Sequence, residues 1–352
     1  MGESCAVGFG VPGLLGDEDY MRALVTGGSG FVGYHVTRAL LEQGVQVSVL
    51  VRPTSDRSAL ANLPVNLVIG TLDDEPSLVQ AVRNMDLLFH VAADYRLWVP
   101  NYGAMYDVNV SGTLRLLRAA VTAGVSRIVY TSSAVTVACP PGQLGTEQDF
   151  LPLAACRSGY QRTKVLAEEA VWHLIKQGAP ITIVNPSTPI GAGDRRPTPT
   201  GKLIVDFLNG NLPAYLDARF NWVSVEDVAV GHWLASTRGR VGERYILGHQ
   251  NWTLSEFLAV LSEVSGQPAP RIRIPYSVAY AAGAVGELIG KLTRTEPRAS
   301  LDGVRMARAP MRYDSSKAIK ELGLPQSSLR FAAGEAVQWF RQHGYVTKGD
   351  RK

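Results

Sequence analysis

The sequence predicts an α/β protein built on a doubly wound parallel sheet, with a smaller, interleaved C-terminal domain. Three observations support this fold class. Short apolar runs alternate with helix-spaced segments through the first half of the chain. A glycine-rich turn follows the first apolar run, and the alternation breaks near residue 190. The 352 residues are 46% hydrophobic, which is enough for one large core or two interlocked cores.

Six apolar runs are typical of buried parallel strands. They cover residues 23–26, 45–51, 65–70, 87–91, 127–131 and 181–184. Helix patterns lie between them, including one over 105–123 and one that runs to about residue 177. Because ligands of such sheets lie beyond the carboxyl ends of the strands, one crevice should collect the residues that follow each strand.

The glycine-rich turn has the context of a dinucleotide fingerprint, between a strand and a helix. Gly27 suits the tight turn, Gly30 lets the backbone approach a pyrophosphate, and Gly33 allows the helix to pack closely on the strand. The helix N-terminus would favour the anion. The alternative is a glycine turn without a ligand. We assign to the cofactor the turn residues Gly27, Ser29, Gly30, Phe31, Val32 and Gly33.

The residue after the second strand bears on the choice of cofactor. An NAD-binding unit usually has an acidic residue there, which binds the ribose hydroxyls. This chain has Arg52, and a guanidinium suits a 2′-phosphate, so we favour NADP(H) and keep NAD(H) open. An ordinary surface arginine is the alternative. Further cofactor contacts are assigned to residues that follow the other strands, namely Leu72, Ala92, Ala93, Pro186 and Thr188.

A serine, a tyrosine and a lysine indicate proton transfer at this cofactor. Tyr160 and Lys164 are spaced i and i+4 on one helix face, and Ser133 follows the fifth strand. A free phenol has a pKa near ~10, which a nearby ammonium lowers. Tyr160 would then act as general acid or base, Lys164 would hold the nicotinamide ribose, and Ser133 the substrate oxygen. A half-buried tyrosine beside a surface lysine is the alternative.

These motifs resemble the extended branch of the short-chain dehydrogenase/reductase superfamily over residues 21–345. The resemblance rests on Gly-x-x-Gly-x-x-Gly at Gly27, on Thr-Ser-Ser ending at Ser133, and on Tyr-x-x-x-Lys at Tyr160. It implies that Asn109 is the helix asparagine of the catalytic site. Within the branch, four stretches resemble the hopanoid-associated sugar epimerases, a group often described as dihydroflavonol-4-reductase-like. They cover residues 90–98, 185–189, 197–201 and 301–307.

The chain departs from the sugar-nucleotide epimerases of that branch. Phe220 and Ser224 stand where those enzymes usually carry the arginine that helps bind the diphosphate and a histidine. Thr71 stands where an aspartate usually contacts adenine. We therefore expect a substrate that is less charged and more apolar than a nucleotide sugar. The expected substrate contacts are Tyr95, Ser133 and Trp222.

Composition favours a cytoplasmic enzyme. The net charge of +4 includes no basic run long enough for nucleic acid, so the expected partner is a small molecule. The three cysteines have no metal-site or redox spacing and read as reduced thiols, and no metal site is expected. Residues 1–20 lack the features of a secretion signal and are expected to be a disordered extension or the result of an early start codon. The expected domains are 21–190 for the nucleotide and 191–345 mainly for the substrate, with 346–352 as a tail. The return of segments from the second domain to the first stays open.

The second half is expected to select the substrate. Residues 191–216 are rich in proline and glycine and predict a loop region over the cofactor, followed by helices near 225–236, 254–265 and 315–322 and a strand at 244–247. The apolar segment 278–286 predicts a core helix of the smaller domain; it is too short to span a bilayer. Peripheral membrane contact and a homodimer stay open.

Three function classes follow. The first is an NADP-dependent oxidoreductase that acts on a carbonyl or secondary alcohol of a fairly apolar substrate. The second is an NAD-dependent sugar epimerase or dehydratase linked to hopanoid biosynthesis, which restores its cofactor in each cycle. The third is a nonenzymatic nucleotide sensor on the same fold. Ser133, Tyr160 and Lys164 argue against the third, and Arg52 and Phe220 favour the first.

Overall fold

A computed structural model describes residues 20–347 except 100, 294, 296, 298 and 299. The expectation for residues 1–20 falls almost wholly outside the described residues, and so does most of the tail. The strands are β1 Arg22–Thr26, β2 Gln46–Val51, β3 Asn66–Ile69, β4 Leu87–His90, β5 Arg127–Thr131, β6 Ile181–Pro186, β7 Thr188–Ile190, β8 Ala214–Leu216, β9 Arg219–Ser224, β10 Arg244–Leu247, β11 Gln250–Thr253 and β12 Ile272–Ile274.

The helices lie between and after these strands. They are α1 Phe31–Glu42, α2 Glu75–Val82, α3 Tyr102–Tyr106, α4 Thr113–Thr122, α5 Gly159–Lys176, α6 Pro199–Leu208, α7 Val225–Thr237, α8 Leu254–Ser265, α9 Tyr276–Thr293, α10 Leu301–Ala307 and α11 Leu329–Gln342. Two π-helical turns, Asp107–Gly112 and Ala318–Leu322, interrupt the α-helical pattern. The first of them joins α3 to α4, so the helix expected over 105–123 is continuous but begins earlier and contains a wider turn.

Seven parallel strands form the central sheet in the order β10-β6-β5-β4-β1-β2-β3, with a core cluster on each face. This is the doubly wound, Rossmann-like architecture that the sequence predicts. The strand order reverses between β1 and β4, and such a switch point opens a crevice at the carboxyl ends of the strands. Thr26 and His90, the last residues of these two strands, are direct partners in the register.

The smaller part of the molecule has its own apolar core, which α6, α8, α11 and β9 surround. A three-stranded sheet, in the order β11-β9-β7, connects it to the central sheet, because β7 follows β6 after a single residue. β10 belongs to the second half of the chain yet pairs in parallel with β6 at the edge of the central sheet. The two parts are therefore interleaved rather than consecutive.

The region 191–216 is rich in loops, as expected, and also contains α6, which has Thr198 as a side-chain cap and Pro199 at its start. A second expectation for this half of the chain is wrong. Segment 278–286 does form a helix, α9, but not a core helix. Val278 and Val285 are 53% and 57% exposed, so the larger side chains of this segment face solvent.

Candidate active site

The glycine turn closes tightly over the switch point. Gly27 has φ +74°, a left-handed conformation that favours glycine, and a Cβ there would lie 2.8 Å from the backbone of Ala92 after β4. A Cβ on Gly33 would lie 2.1 Å from the carbonyl oxygen of Gly27, so only glycine lets α1 start this close to β1. Gly30 is the N-cap residue of α1. The backbone fits a pyrophosphate at the helix N-terminus.

A buried hydrogen-bond chain links the ends of β1 and β4 to the helix that carries Asn109. The Thr113 hydroxyl donates to the Asn109 carbonyl (2.8 Å), so it must accept from Nε2 of His90 (2.8 Å). Nδ1 of His90 then accepts from the Thr26 hydroxyl (2.7 Å). Burial, followed by the charge of Lys164, lowers the pKa of His90 to about 3, so the ring stays neutral. The sequence analysis missed His90 as part of the site.

Asn109 lies in the first π-helical turn and is 2% exposed. Its Oδ1 accepts from the backbone N–H of Asp94 (2.7 Å), and its Nδ2 donates to the Asp94 carbonyl (2.9 Å) and the Thr163 hydroxyl (2.9 Å). Single π turns often occur at functional sites. Asn109 thus joins the loop after β4 to the residue next to Lys164, which is a positioning contact.

The two serines after β5 have different partners. Ser132 is buried and donates to the Glu168 carboxylate, whereas Ser133 is half-buried and its hydroxyl lies close enough to Tyr160 to lower the pKa of that phenol. The assignment of the reactive hydroxyl to Ser133 rather than Ser132 stays a prediction, and the free hydroxyl it needs is not engaged by Glu168. Ser133 also begins a short 3-10 turn, since its Oγ accepts from the N–H of Val135 (3.4 Å).

Tyr160 and Lys164 both lie on the face of α5 that meets β5. Burial raises the pKa of Tyr160, the hydrogen bond with Ser133 lowers it, and the charge of Asp94 raises it. Lys164 donates to the carbonyl of Thr131 (2.9 Å) and lies 3.4 Å from the Tyr130 hydroxyl. Burial lowers the pKa of Lys164 to about 8, and the charge of Glu168 opposes this shift.

Glu168 and Arg244 form a buried ion pair beneath this constellation. Their side chains are 4% and 2% exposed, and Arg244 Nη1 lies 2.7 Å from Glu168 Oε1. The second carboxylate oxygen accepts from Thr136 (2.7 Å) and Asn185 (2.9 Å) as well as from Ser132. The sequence analysis missed Glu168, although its spacing of four residues from Lys164 repeats the spacing from Tyr160.

The loop after β2 is cationic and exposed. Arg52 is exposed at the end of β2, and Nη2 of Arg57 donates to the Pro53 carbonyl (3.4 Å). Hydrogen bonds from Ser58 lower the pKa of Asp56, and the charges of Arg195 and Arg196 lower it further. The charges of Arg195 and Arg196, in the segment after β7, therefore reach this loop, which the sequence analysis missed.

The other assigned residues differ in their exposure to solvent. Ala92, Ala93, Leu72 and Thr188 are half-buried, and Pro186 is buried at the end of β6. Tyr95 is 37% exposed, and its hydroxyl donates to the Arg196 carbonyl (3.2 Å).

Trp222 is a correction. It is 1% exposed and stacks on Phe257 at a ring distance of 3.8 Å within the core of the smaller part, so it offers no free surface to a substrate. Both faces of β9 are covered at this point, since Trp222 packs into the core of the smaller part and Val223 into the core under the central sheet. Among the residues that the structure describes, no three His, Cys, Asp or Glu side chains are grouped as metal ligands.

The fold and the Ser133–Tyr160–Lys164 group define an enzyme of the extended short-chain dehydrogenase/reductase type. Residues 23–248 match the model of the NAD dependent epimerase/dehydratase family. The chain belongs to that family.

Proteins similar to this chain carry several names. A Synechocystis protein named "Putative dihydroflavonol 4-reductase" is 45% identical over 92% of this chain and 95% of its own length. "Sterol demethylase protein B" of Methylococcus capsulatus is 34% identical over 93% of this chain and 100% of its own. The crystal structure of a nucleoside-diphosphate-sugar epimerase from Pseudomonas aeruginosa is 27% identical, with TM-score 0.78 over 94% of this chain and 100% of that one.

Proposed function

We propose that the protein transfers hydride between NADP(H) and a carbonyl or secondary alcohol of a fairly apolar substrate. The observation that carries the proposal is that the Ser133 hydroxyl comes close enough to the buried phenol of Tyr160 to lower its pKa, with Lys164 one helical turn further along α5. A bound nicotinamide supplies the hydride donor or acceptor. The chain itself must then deliver or remove the proton on the substrate oxygen.

Each residue of the constellation has a distinct task in that proton transfer. Tyr160 gives its phenolic proton to the oxygen during reduction and takes it back during oxidation. Ser133 holds that oxygen next to the phenol. Lys164, which the Thr131 carbonyl holds at 2.9 Å, is placed to bind the nicotinamide ribose and to favour the phenolate by its charge. The residues fit the cofactor, since the glycine turn offers a pyrophosphate site in the same crevice.

The preference for NADP(H) rests on the charges near the adenosine ribose. Arg52 occupies the strand end where an acidic residue would bind two ribose hydroxyls. The charges of Arg196 and Arg195, which help to lower the pKa of Asp56, support the proposal that this side of the crevice is cationic. A 2′-phosphate would gain charge-assisted hydrogen bonds from such donors, whereas a neutral diol would leave their neighbouring positive charges uncompensated.

The apolar substrate class rests on β9. Phe220 replaces the diphosphate-binding arginine, and the neighbouring Arg219 is exposed and alternates to the other side of the strand. A buried diphosphate without a cation is very costly. The relatives named after a dihydroflavonol and a sterol support an uncharged, ring-bearing substrate for this chain as well.

The second candidate is an NAD-dependent sugar epimerase or dehydratase linked to hopanoid biosynthesis. It is favoured by the family match and by the likeness to the Pseudomonas aeruginosa sugar epimerase. Two measurements separate the candidates. NADPH oxidation is followed with a panel of ring ketones, polyprenoid aldehydes and sugar nucleotides. Calorimetry is then run with UDP, UDP-glucose and UDP-galactose on the cofactor-loaded protein.

The two candidates predict opposite outcomes. The proposed reductase consumes NADPH with apolar carbonyl compounds and binds the UDP ligands weakly. Binding of UDP-glucose in the low micromolar range, about −7 to −8 kcal/mol, together with no net NADPH consumption, would favour the epimerase.

A further inference from the structure

The start of α5, where Tyr160 lies, takes one of its hydrogen-bond partners from the second half of the chain. The first N–H groups of a helix have no partner within it, and the first turn of α5 has no acidic residue of its own. Ser158 caps this turn, since its Oγ accepts from the N–H of Gln161 (3.0 Å). The N–H of Gly159 donates to Oδ2 of Asp302, 143 positions later (2.9 Å). The helix dipole also favours a carboxylate at this end of α5.

Asp302 is held in place where it makes this contact. Its Oδ2 also accepts from the Tyr102 hydroxyl (2.9 Å), and Nη1 of Arg305 lies 3.5 Å from its Oδ1. The side chain of Asp302 is only 13% exposed. The ring of Tyr102 lies against the backbone of Gly159, because a Cβ on Gly159 would be 1.9 Å from Cε1 of that ring. Only glycine at position 159 therefore lets the ring, the carboxylate and the helix meet this closely.

α10, which begins at Leu301 and carries Asp302, is packed between α5 and α9. The Ser158 hydroxyl donates to Sδ of Met306 (3.1 Å), which is a second contact of α10 with the start of α5. Toward α9, a Cβ on Gly283 would lie 3.3 Å from the Cα of Leu301. Neither α9 nor any other described helix is long and apolar enough to cross a membrane. Through α10, a segment of the second half is thus attached to the helix that carries Tyr160.

A contact from the first half of the chain holds the same turn of α5. The Thr163 hydroxyl donates to the carbonyl of Tyr160 (2.8 Å) and accepts from Nδ2 of Asn109 (2.9 Å). The backbone just before Tyr160 is therefore bound by Asp302, and the carbonyl of Tyr160 itself is bound by Thr163. The position of the phenol thus depends on both parts of the molecule.

We propose that Asp302 is a positioning residue for the proton transfer at Tyr160. It acts through the N–H of Gly159, which immediately precedes the tyrosine. The phenol must reach the substrate oxygen at hydrogen-bond distance, about 2.6–3.2 Å, and a displacement of about 1 Å can cost on the order of 10²-fold in rate. The inference rests on the proposed function. It adds that the part of the chain expected to select the substrate also sets the position of the acid.

Three variants of the full chain test the role of Asp302. Asp302→Ala removes the acceptor, so kcat for NADPH oxidation should fall about tenfold or more, while the Kd of NADPH stays unchanged. Asp302→Asn keeps an acceptor oxygen and should stay within about threefold of the unaltered protein. Glu256→Ala is the matched control. Glu256 accepts from the N–H of Thr253 (2.7 Å) at the start of α8, so its loss should leave kcat unchanged.

Two further measurements separate positioning from a general loss of structure. In the Tyr160→Phe background, Asp302→Ala should lower kcat by less than about twofold, because the group that it positions is already gone. Hydrogen exchange followed by mass spectrometry needs no turnover. Residues 158–164 should exchange at least about fivefold faster in Asp302→Ala than in the unaltered protein, but not in Asp302→Asn.

Three results would overturn the proposal. They are equal kcat values for Asp302→Ala and Glu256→Ala with both variants folded in thermal melts, an undiminished loss in the Tyr160→Phe background, and unchanged hydrogen exchange. If Asp302→Ala does not fold, Asp302→Ser replaces it, because the serine hydroxyl is too short to reach the N–H of Gly159. If the unaltered protein reduces no compound of the panel, the proposed function fails by itself. The exchange measurement then still decides whether Asp302 holds this turn.

Discussion

Lys164 and Glu168 lie one turn apart on α5 and bind consecutive residues at the end of β5. Lys164 donates to the Thr131 carbonyl (2.9 Å), and Glu168 accepts from the Ser132 hydroxyl. The hydroxyl of Ser133, the next residue, instead lies close to the side chain of Tyr160. Side chains four residues apart on α5 thus contact successive residues at the end of β5. This pairing determines which of the two serines faces the crevice.

The two serines should therefore respond differently to alanine. Ser133→Ala removes the hydroxyl beside Tyr160, so turnover should fall by about 10²-fold while the melting temperature stays near that of the unaltered protein. Ser132→Ala removes a donor to a buried carboxylate and should lower the free energy of unfolding by roughly 1–3 kcal/mol. Steady-state kinetics and denaturant titrations of both variants measure the contrast. A reversed pattern would place the reactive hydroxyl on Ser132.

Tyr160→Phe tests the proton transfer. The variant lacks only the phenolic oxygen, so the reduced cofactor should still bind while turnover falls by about a hundredfold or more. Fluorescence titration of NADPH and single-turnover kinetics measure the two properties separately. Tyr106→Phe is the control, because Tyr106 is 42% exposed at the end of α3. Near-normal turnover in Tyr160→Phe would mean that another group moves the proton.

Arg52→Ala tests the cofactor preference. The unaltered protein should bind NADPH more tightly than NADH, and the variant should lose roughly 1.5–3 kcal/mol of that difference. Lys176→Ala is the matched control. Lys176 ends α5 shortly before β6 begins, so it lies near the amino ends of the strands, whereas the crevice lies at their carboxyl ends. Titration with both dinucleotides measures the difference. Equal affinities in the unaltered protein would contradict the NADP(H) proposal.

The ion pair of Glu168 and Arg244 should behave as a unit. Both side chains are at most 4% exposed, so Glu168→Gln leaves a buried cation without its partner and should cost about 3–5 kcal/mol of stability. Adding Arg244→Met should recover part of this loss, which a double-mutant cycle in urea would show. Additive losses in the cycle would mean that the pair is not energetically coupled.

Asp194 should make stability depend on pH. Burial raises the pKa of its carboxyl to about 6 from 3.8, even though Thr198 donates to it twice. The pKa of Asp194 is higher in the folded state than in the unfolded state. Its favourable contribution to the free energy of unfolding is therefore fully present below about pH 4 and is lost as the pH rises through 6. The loss is about 3 kcal/mol at 1.36 kcal/mol per pKa unit.

Asp194→Asn removes the titration. The free energy of unfolding of this variant, relative to the unaltered protein, should increase between about pH 4 and pH 7. Urea titrations at four pH values in this range measure the difference. A constant difference would show that the carboxyl titrates normally. Asp314→Asn is the control, since Asp314 bonds the exposed Ser316 within its own loop.

Local patterns predicted the sheet well, since each strand carries its own apolar run and the glycine turn has a fixed spacing. The expected strand at 244–247 and helix at 254–265 match β10 and α8 exactly. The features that the sequence did not predict depend on contacts with residues in other parts of the chain. Composition could not show which face of α9 is buried, because Gly283 and Gly290 decide this by contact with Leu301 and Thr295. Glu168 was missed because its cation comes from a strand 76 residues later.

The place of β10 also matters for how the chain is made. The nucleotide-binding sheet is not finished when β6 has been synthesised, because its edge strand and Arg244 belong to a segment that leaves the ribosome later. Until residue 247 emerges, β6 is an open edge and Glu168 has no arginine. A nascent chain stopped between these points carries every residue of the catalytic group in an unfinished sheet. The central sheet and its buried ion pair can therefore be completed only after β10 has been synthesised.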